Sequence, residues 1–351
     1  MFGAGKTKGL VGLDLGSSSI KAIELGRKGN QYEVVNLAVA ELPEGAIVDG
    51  AIKDGAAVAE AISKLFAENH ITASNVAMSV SGHSVLVKRI TVAGENPDQL
   101  AEAVAEEAEQ ALQLDLGEVM WDYHVLGPAP GRSAYDVILV AVKRDKLASY
   151  TDVVEQAGMH AVVVDTDAFA LENAFEMSYQ PARDQVVALV DIGASTTNIN
   201  IVRNGVPLFT RDLSTGAAPL TEAFGKGADL LDSSTAGQPE RGSVGNEAPN
   251  GVRAAQIRLA LEPLLQEIHK TFDFFKQTGS VGAIEHLYVA GGVACVPDLA
   301  GILQEQLSIP AEVMNPFQRV TFQDSKWNRD EMSELAPRLG VAMGLALRNF
   351  D

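Results

Sequence analysis

The 351-residue sequence has little of several residue types, and each scarcity excludes a class of protein. Its single cysteine, Cys295, rules out an intramolecular disulfide, and the apolar residues around that thiol favour a buried structural role. Lysine and arginine together number 27 against 46 acidic residues, which argues against nucleic-acid binding and against direct attachment to anionic lipid. Any membrane contact is therefore expected to go through a protein partner.

Long apolar runs are also missing. The longest, VILVAV at 137–142, is far shorter than the roughly 20 residues that a membrane helix needs. The N-terminal stretch MFGAGKTKG has no apolar signal-peptide core, and its Gly-Lys-Thr lacks the upstream glycine and strand of a P-loop. The histidines have no short metal-ligand spacing, so we expect no zinc site. These features together predict a cytoplasmic protein.

The most informative feature that is present is an internal repeat. LVGLDLGSSSIKAIEL (10–25) is similar to VALVDIGASTTNINIV (187–202), and the aspartates Asp14 and Asp191 lie 177 residues apart. In each copy an apolar, β-favouring run leads into a glycine and small hydroxyl residues, and a second strand-like run follows. The repeat predicts two related α/β lobes that face each other.

Strand-like and helical segments alternate along the rest of the chain, which allows a domain assignment. We predict a first lobe over 9–84 and 156–185, a small α+β insert over 85–155, and a second lobe over 186–351. Gly, Ser, Pro and Asn dominate residues 225–251, so a long flexible loop is expected within the second lobe.

Both hairpin turns have the chemistry of a phosphate-binding loop. Glycine permits close approach of a ligand, successive backbone N–H groups bind an anion, and hydroxyl groups add further donors. The candidate residues are Asp14, Gly16, Ser17, Ser18, Ser19 and Lys21 in the first copy, and Asp191, Gly193, Ala194, Ser195, Thr196 and Thr197 in the second. A single such turn is more often an ordinary β-turn, but two copies in matching positions favour a shared triphosphate.

Carboxylates beside phosphates require a cation. Asp14 and Asp191 therefore predict a Mg²⁺ ion that is held mostly through water, since Mg²⁺ keeps most of its waters and needs only one or two carboxylates. Lys21 is a candidate phosphate contact or, equally, a solvent-facing strand lysine. Asp165 either orients water or metal, or caps the helix that starts near Ala168.

A third element, LYVAGGVACVPDL at 287–299, reads as a strand, a Gly-Gly turn and a helix. Gly291, Gly292 and Val293 are candidate contacts to a nucleoside or phosphate, and the alternative is a tight turn without a ligand. The order of the three elements is typical of the actin, Hsp70 and sugar-kinase superfamily. The sequence therefore predicts an α/β actin-like (ribonuclease H-like) two-lobed fold with ATP and Mg²⁺ as cofactors.

From Val11 to about Asn349, the chain resembles the PilM family of cytoplasmic actin-like proteins in type IV pilus assembly. Beyond the phosphate motifs, the segments that carry the resemblance are LPEGAIVDGAIKD (42–54), MSVSGHSVLVKRITV (78–92), LQLDLGEVMWDYHVL (112–126) and VVVDTDAF (162–169). The resemblance implies that the insert is an FtsA-like subdomain. It also implies that the N-terminal cytoplasmic tail of the membrane protein PilN binds in a groove beside the insert, formed by residues near 80–125.

The same resemblance implies a position at the inner membrane through partners, with pilus assembly ATPases and self-association as further candidate contacts. The sequence departs from the family where a helical segment normally supplies charged contacts to adenine and ribose. Here Glu222, Lys226 and Asp229 are the candidate substitutes. This departure predicts an altered nucleotide affinity or specificity.

Two other functions remain open at this point. A small-molecule ATP-dependent kinase would use the same phosphate motifs, although no candidate base for a substrate stands out. An FtsA-like filament protein usually ends in a basic amphipathic helix, whereas this sequence ends in ALRNFD. Because no base for an attacking water is evident, we expect at most slow ATP hydrolysis.

Overall fold

The computed structural model describes residues 9–94, 96, 100–129, 131, 133–220, 250–278, 282–296, 298–322 and 327–350. In chain order the strands are β1 (Leu10–Leu15), β2 (Ser19–Lys28), β3 (Gln31–Glu41), β4 (Ile47–Val48), β5 (Ala51–Ile52), β6 (Asn75–Val80), β7 (Val85–Ala93), β8 (Val119–Pro128), β9 (Ala134–Lys143), β10 (His160–Thr166), β11 (Val187–Ile192), β12 (Thr197–Arg203), β13 (Val206–Leu213), β14 (His286–Ala290), β15 (Ala311–Val313) and β16 (Val320–Phe322). The helices include α1 (Gly55–Glu68), α2 (Leu100–Leu112), α3 (Arg144–Gln156), α4 (Asp167–Ser178), α5 (Asn250–Gln277), α6 (Leu299–Leu307), α7 (Arg329–Leu335) and α8 (Gly340–Leu347). The alternation of strands and helices agrees with the predicted α/β class.

Two mixed sheets share one strand order. The first sheet runs β10-β6-β1-β2-β3, with β16 added beyond β3, and the second runs β15-β14-β11-β12-β13. In both sheets three strands form an antiparallel meander, and two later strands extend it with parallel pairing. The internal sequence repeat therefore corresponds to a repeat of topology, and each copy opens with its glycine hairpin.

The lobes pack against each other through two helices. α4 and α8 lie between the sheets, in an apolar cluster that takes Ile23 from the first sheet and Leu189 from the second. Gly344 on α8 allows close contact with α4, since a Cβ there would lie 1.6 Å from the carbonyl oxygen of Ala170. The outer face of each sheet has its own core, formed with α1 and α3 in the first lobe and with α5 and α6 in the second. The glycine hairpins are thereby held on two rigid frames.

The insert consists of the sheet β7-β9-β8 covered on one face by α2. Helix α3, which the predicted range 85–155 includes, instead packs against α1 and contributes Val153 and Val154 to the first-lobe core. Because α3 buries its apolar face there, we place the end of the insert at Lys143. The apolar period of α3 predicts a buried face correctly but cannot identify the partner of that face.

The C-terminal part of the chain returns to the first lobe. β16 pairs with β3, and α8 packs on β1. The predicted second lobe, 186–351, thus ends in elements that belong to the first sheet and to the interface between the lobes. The two helices α7 and α8 are separated by a 3₁₀ turn at Ala336–Leu339 that contains Pro337.

Other predicted features lie outside the described residues. These are nearly all of the loop 225–251, the substitutes Glu222, Lys226 and Asp229, and the Gly-Lys-Thr sequence near the N-terminus. None of the helices in the described ranges combines the length and the apolar composition that a bilayer span requires.

Candidate functional site

The first hairpin turn closes through its own backbone. The N–H of Gly16 donates to the carbonyl oxygen of Ser19 at 3.1 Å, and a Cβ on Gly16 would lie 3.0 Å from that oxygen. Leu42 donates to the carbonyl oxygen of Ser18 at 2.9 Å, which ties the turn to the chain beyond β3. Ser18 is exposed and Ser17 is half-buried, so both hydroxyl groups lie near the surface of the turn. These contacts fix the shape of the turn and favour glycine at position 16.

The second turn has the same geometry. The N–H of Gly193 donates to the carbonyl oxygen of Thr196 at 2.9 Å, and a Cβ on Gly193 would lie 3.0 Å from that oxygen. Ala194 is half-buried, and Thr197 is buried with its hydroxyl bonded to the carbonyl oxygen of Thr215 at 2.7 Å. The hydroxyl of Ser195 is buried and has no hydrogen-bond partner among the described residues. An unpaired buried hydroxyl costs free energy, so it is suited to bind a ligand oxygen.

The Gly-Gly turn after β14 crosses directly over the second hairpin. Gly291 has φ +95°, and a Cβ there would lie 2.3 Å from the carbonyl oxygen of Ile192 and 2.5 Å from Asp191 Oδ1. Only glycine fits this position, because both the conformation and the contact exclude a side chain. Gly292 borders open space, whereas Val293 is buried in the second-lobe core. Of the three predicted residues, the two glycines are placed to meet a ligand.

Three carboxylates lie within electrostatic range of one another where the lobes meet. Burial and the nearby charge of Asp14 together raise the pKa of Asp191 to about 7, while Lys21 acts in the opposite direction. Burial, and after it the charge of Asp14, raises the pKa of Asp167 to about 6. These electrostatic effects require the carboxylates of both lobes to lie close together. The two predicted aspartates, from hairpins far apart in sequence, therefore lie close enough to interact.

Lys21 forms an ion pair with Asp14, with 2.9 Å between Nζ and Oδ2. The alternative of a solvent-facing lysine is wrong, because 13% of its side chain is exposed. On the other side of the cluster, the Lys146 ammonium of α3 lies 4.4 Å from the centre of the Tyr150 ring. Burial lowers the pKa of Lys146, and the negative charges of Asp167 and Asp212 oppose that effect. Both lysines are attracted to an acidic cleft.

Sequence reasoning missed Asp167 and Asp212. It singled out Asp165 instead, but Asp165 lies 3.6 Å from Arg348 as an ion pair and does not cap α4; Thr166 caps that helix, accepting a bond from Phe169. Asp167, two residues later, is the carboxylate that faces the cluster. The only signal in the sequence is the pair of aspartates in VVVDTDAF, which indicates a site without saying which carboxylate faces it.

The donor set fits Mg²⁺ bound through water and phosphate oxygens. Within the described ranges, no three His, Cys, Asp or Glu side chains come together as a candidate metal site. A cation that brings its own waters needs only one or two carboxylates, and Asp14 with Asp191 provides two. The remaining singled-out side chain, the thiol of Cys295, donates to the carbonyl oxygen of Glu334, and burial raises its pKa to about 11. This agrees with a structural thiol.

Comparisons with known proteins agree on the fold. The family model described as type IV pilus assembly protein PilM matches residues 12–350. Among solved structures, the PilM–PilN type IV pilus biogenesis complex matches with a TM-score of 0.78 and 26% identity over 97% of this chain and 98% of that chain.

More distant structures share the architecture. The ethanolamine utilization protein EutJ from Carboxydothermus hydrogenoformans matches with a TM-score of 0.53 and 15% identity, over 96% of this chain and 88% of that chain. MreB 5 of Spiroplasma citri bound to AMPPNP matches with a TM-score of 0.51 and 12% identity, over 97% of this chain and 95% of that chain. The predicted actin-like α/β fold is confirmed.

Proposed function

The chain belongs to the PilM family of type IV pilus assembly proteins, and we propose that within this family it is an ATP-binding scaffold that holds the N-terminal cytoplasmic tail of PilN. ATP would lie in the cleft between the lobes, with its β- and γ-phosphates between the two glycine turns. Mg²⁺ would balance the charge of Asp14 and Asp191. The protein would then be cytoplasmic and reach the inner membrane through its partner.

The observation that supports nucleotide binding most strongly is the pairing of two equivalent turns with one shared cluster of carboxylates. Both turns present a glycine N–H bonded in the same way, and the buried hydroxyl of Ser195 lacks a partner. Asp191 carries a raised pKa because it is buried near another carboxylate. A divalent cation would relieve this repulsion and add a favourable charge beside the phosphates.

We propose that the partner groove lies beside the insert. A small cavity there, of about 40 Å³ between β7 and the two lobes, is lined by Val85 and Val87, by Asp167, and by Arg211 and Asp212. The cavity would take one small apolar side chain of an extended tail against the valines, with basic residues of the tail near the aspartates. The acidic net charge of −19 favours a basic tail in the same way.

Calorimetry tests the nucleotide half of the proposal. We expect ATP to bind in the presence of Mg²⁺ and to bind much more weakly with EDTA, because the carboxylates then repel the phosphates. Equal affinity in both conditions would contradict the role given to Asp14 and Asp191. Turnover well below the usual enzyme median of about 10 s⁻¹ is expected, because no group has been identified that activates water.

Titration with a synthetic PilN tail peptide tests the partner half. Val87→Asp places a charge in the groove and should weaken binding at least about tenfold, since it buries an unpaired carboxylate on complex formation. Val162→Asp is the matched control, because Val162 lies on the edge strand β10 with 55% of its surface exposed. Tail binding unaffected by Val87→Asp would show that the peptide binds elsewhere.

A further inference from the structure

Asp212, near the end of β13, accepts one hydrogen bond from a residue of each lobe. Its Oδ1 accepts from the side-chain amide of Asn198 at 2.8 Å, and its Oδ2 accepts from the backbone N–H of Gly82 at 2.5 Å. Asn198 belongs to β12, directly after the second glycine turn, whereas Gly82 lies in the first-lobe loop between β6 and β7. A single carboxylate thus bridges the second hairpin and the loop that leads into the insert.

Other contacts reinforce this bridge. The hydroxyl of Ser214 and Nε2 of His83 form a hydrogen bond two residues along the chain from Asp212 and one from Gly82. The ammonium group of Lys146, on α3, is attracted to Asp212 across the same gap. The two hydrogen bonds to the Asp212 carboxylate are charge-assisted, and such bonds are about twice as strong as neutral ones. Three groups from the first-lobe side therefore converge on the end of one second-lobe strand.

The second glycine turn is fixed to the residues that follow Asp212. Thr197 donates to the carbonyl oxygen of Thr215 at 2.7 Å, and Ala217 donates to that of Gly193 at 3.0 Å. Ala218 donates to the carbonyl oxygen of Ala194 at 2.9 Å. Any shift of the turn toward or away from a phosphate group must move this segment, and Asp212 lies at its start.

On the other side of the bridge, the loop is fixed to the insert. Val85, the first residue of β7, donates to the carbonyl oxygen of Gly82 at 2.9 Å. Lys143, the last residue of β9, donates to the carbonyl oxygen of Ser84 at 3.1 Å. The insert sheet is therefore bonded to the loop that Asp212 contacts.

We propose that Asp212 is a latch across the cleft, which holds the insert against the second lobe and transmits the position of the second glycine turn to the groove along β7. The latch rests on the bonds between the lobes, whereas its coupling to nucleotide rests on the proposed function. Asp212 is a positioning residue, since it acts through Gly82 and Asn198.

The test measures the distance between the insert and the second lobe by pulsed electron paramagnetic resonance. Spin labels are attached at Glu102→Cys on α2 and Glu262→Cys on α5, two exposed positions, with the native thiol removed by Cys295→Ser. In Asp212→Asn, one of the two carboxylate oxygens becomes an NH₂ group, which faces a donor and cannot accept its bond. We expect the fraction of molecules with a longer distance to rise about tenfold, as the loss of one charge-assisted bond predicts.

Asp184→Asn is the matched control. Asp184 accepts a bond from Asn204 at the same 2.8 Å, but this bond does not cross the cleft between β13 and the insert loop. Its distance distribution should match that of the unsubstituted protein. Identical distributions for Asp212→Asn and Asp184→Asn would overturn the latch.

Adding Mg-ATP tests the coupling to nucleotide separately from the latch itself. The distance distribution of the unsubstituted protein should shift on addition of Mg-ATP, and that of Asp212→Asn should shift less. If calorimetry shows ATP binding and neither distribution responds, the coupling is overturned. If calorimetry shows no ATP binding while Asp212→Asn still lengthens the distance, the proposed nucleotide function fails and the latch stands.

Discussion

In the first hairpin Asp14 is paired in register with Lys21, and in the second hairpin the same two positions hold Asp191 and Asn198. Lys21 forms an ion pair with its aspartate, but Asn198 turns to Asp212 instead. Asp191 thus has no ion pair among the described residues, and burial raises its pKa to about 7. The two hairpins have the same turn geometry but differ in how their charge is balanced: Asp14 by Lys21 within the protein, and Asp191, in our proposal, by Mg²⁺.

The largest expected effect on stability comes from replacing Gly291, which lies against Asp191. Gly291→Ala puts a Cβ within 2.5 Å of Asp191 Oδ1 in a left-handed conformation, so we expect a loss of about 4 kcal/mol in the free energy of unfolding. Gly292→Ala is the control, because a Cβ there meets nothing within 4 Å. Urea denaturation measures both, and equal stabilities would contradict the crossing geometry.

Removing the lysine makes the first hairpin resemble the second. Lys21→Met leaves Asp14 uncompensated, with 12% of its side chain exposed, and should destabilise the ligand-free protein by about 3 kcal/mol at pH 8. It should also raise the pKa of Asp191 further, because Lys21 lowers it now. The double variant Lys21→Met/Asp14→Asn should recover most of the stability. No recovery would mean that Lys21 stabilises the fold by packing rather than by charge.

Replacing Asp191 with a neutral residue should stabilise the ligand-free protein, which is the opposite of the effect expected for Lys21→Met. The folded pKa of Asp191, about 7, lies above its ordinary value of 3.8, so the folded state holds its proton more tightly. The associated stability is present below pH 3.8 and is lost as the pH rises through 7. Asp191→Asn should therefore stabilise the ligand-free protein at pH 8 by on the order of 2 kcal/mol. Chemical denaturation at pH 4 and pH 8 measures this, with weaker Mg-ATP binding as the accompanying result.

The smallest effect on stability is expected at Ser195. Because its buried hydroxyl has no partner among the described residues and such a group costs free energy, Ser195→Ala should raise the free energy of unfolding by about 1 kcal/mol. Affinity for Mg-ATP should nevertheless fall about tenfold, since a ligand oxygen loses one donor. Ser18→Ala, at an exposed position of the first turn, is the comparison. Unchanged affinity in both variants would place the phosphates away from the hydroxyl groups.

Local features of the site could be predicted from the sequence, whereas the tertiary contacts of each element could not. The glycine turns at Gly16 and Gly193 follow from residues within one hairpin, where each turn closes its own hydrogen bond. Asp165 and Asp167 differ by two positions, so both lie near the start of α4 in any reading of the sequence. Which carboxylate faces the cleft depends on the packing of α4 between the sheets. For the same reason α3 could be predicted as a helix but not assigned to the first-lobe core.

The sequence by itself determined the two hairpins, their order and the α/β alternation, because strand pairing and turn chemistry act over short stretches of chain. Tertiary structure decided that Asp14 and Asp191 share one cleft, that Gly291 lies over the second hairpin, and that Asp212 bridges to Gly82. These contacts join residues 100 to 177 positions apart along the chain. The shortest of these separations, between Asp191 and Gly291, is set by the parallel pairing of β14 with β11. Such distances depend on how α4 and α8 pack the lobes together, and no local pattern encodes that packing.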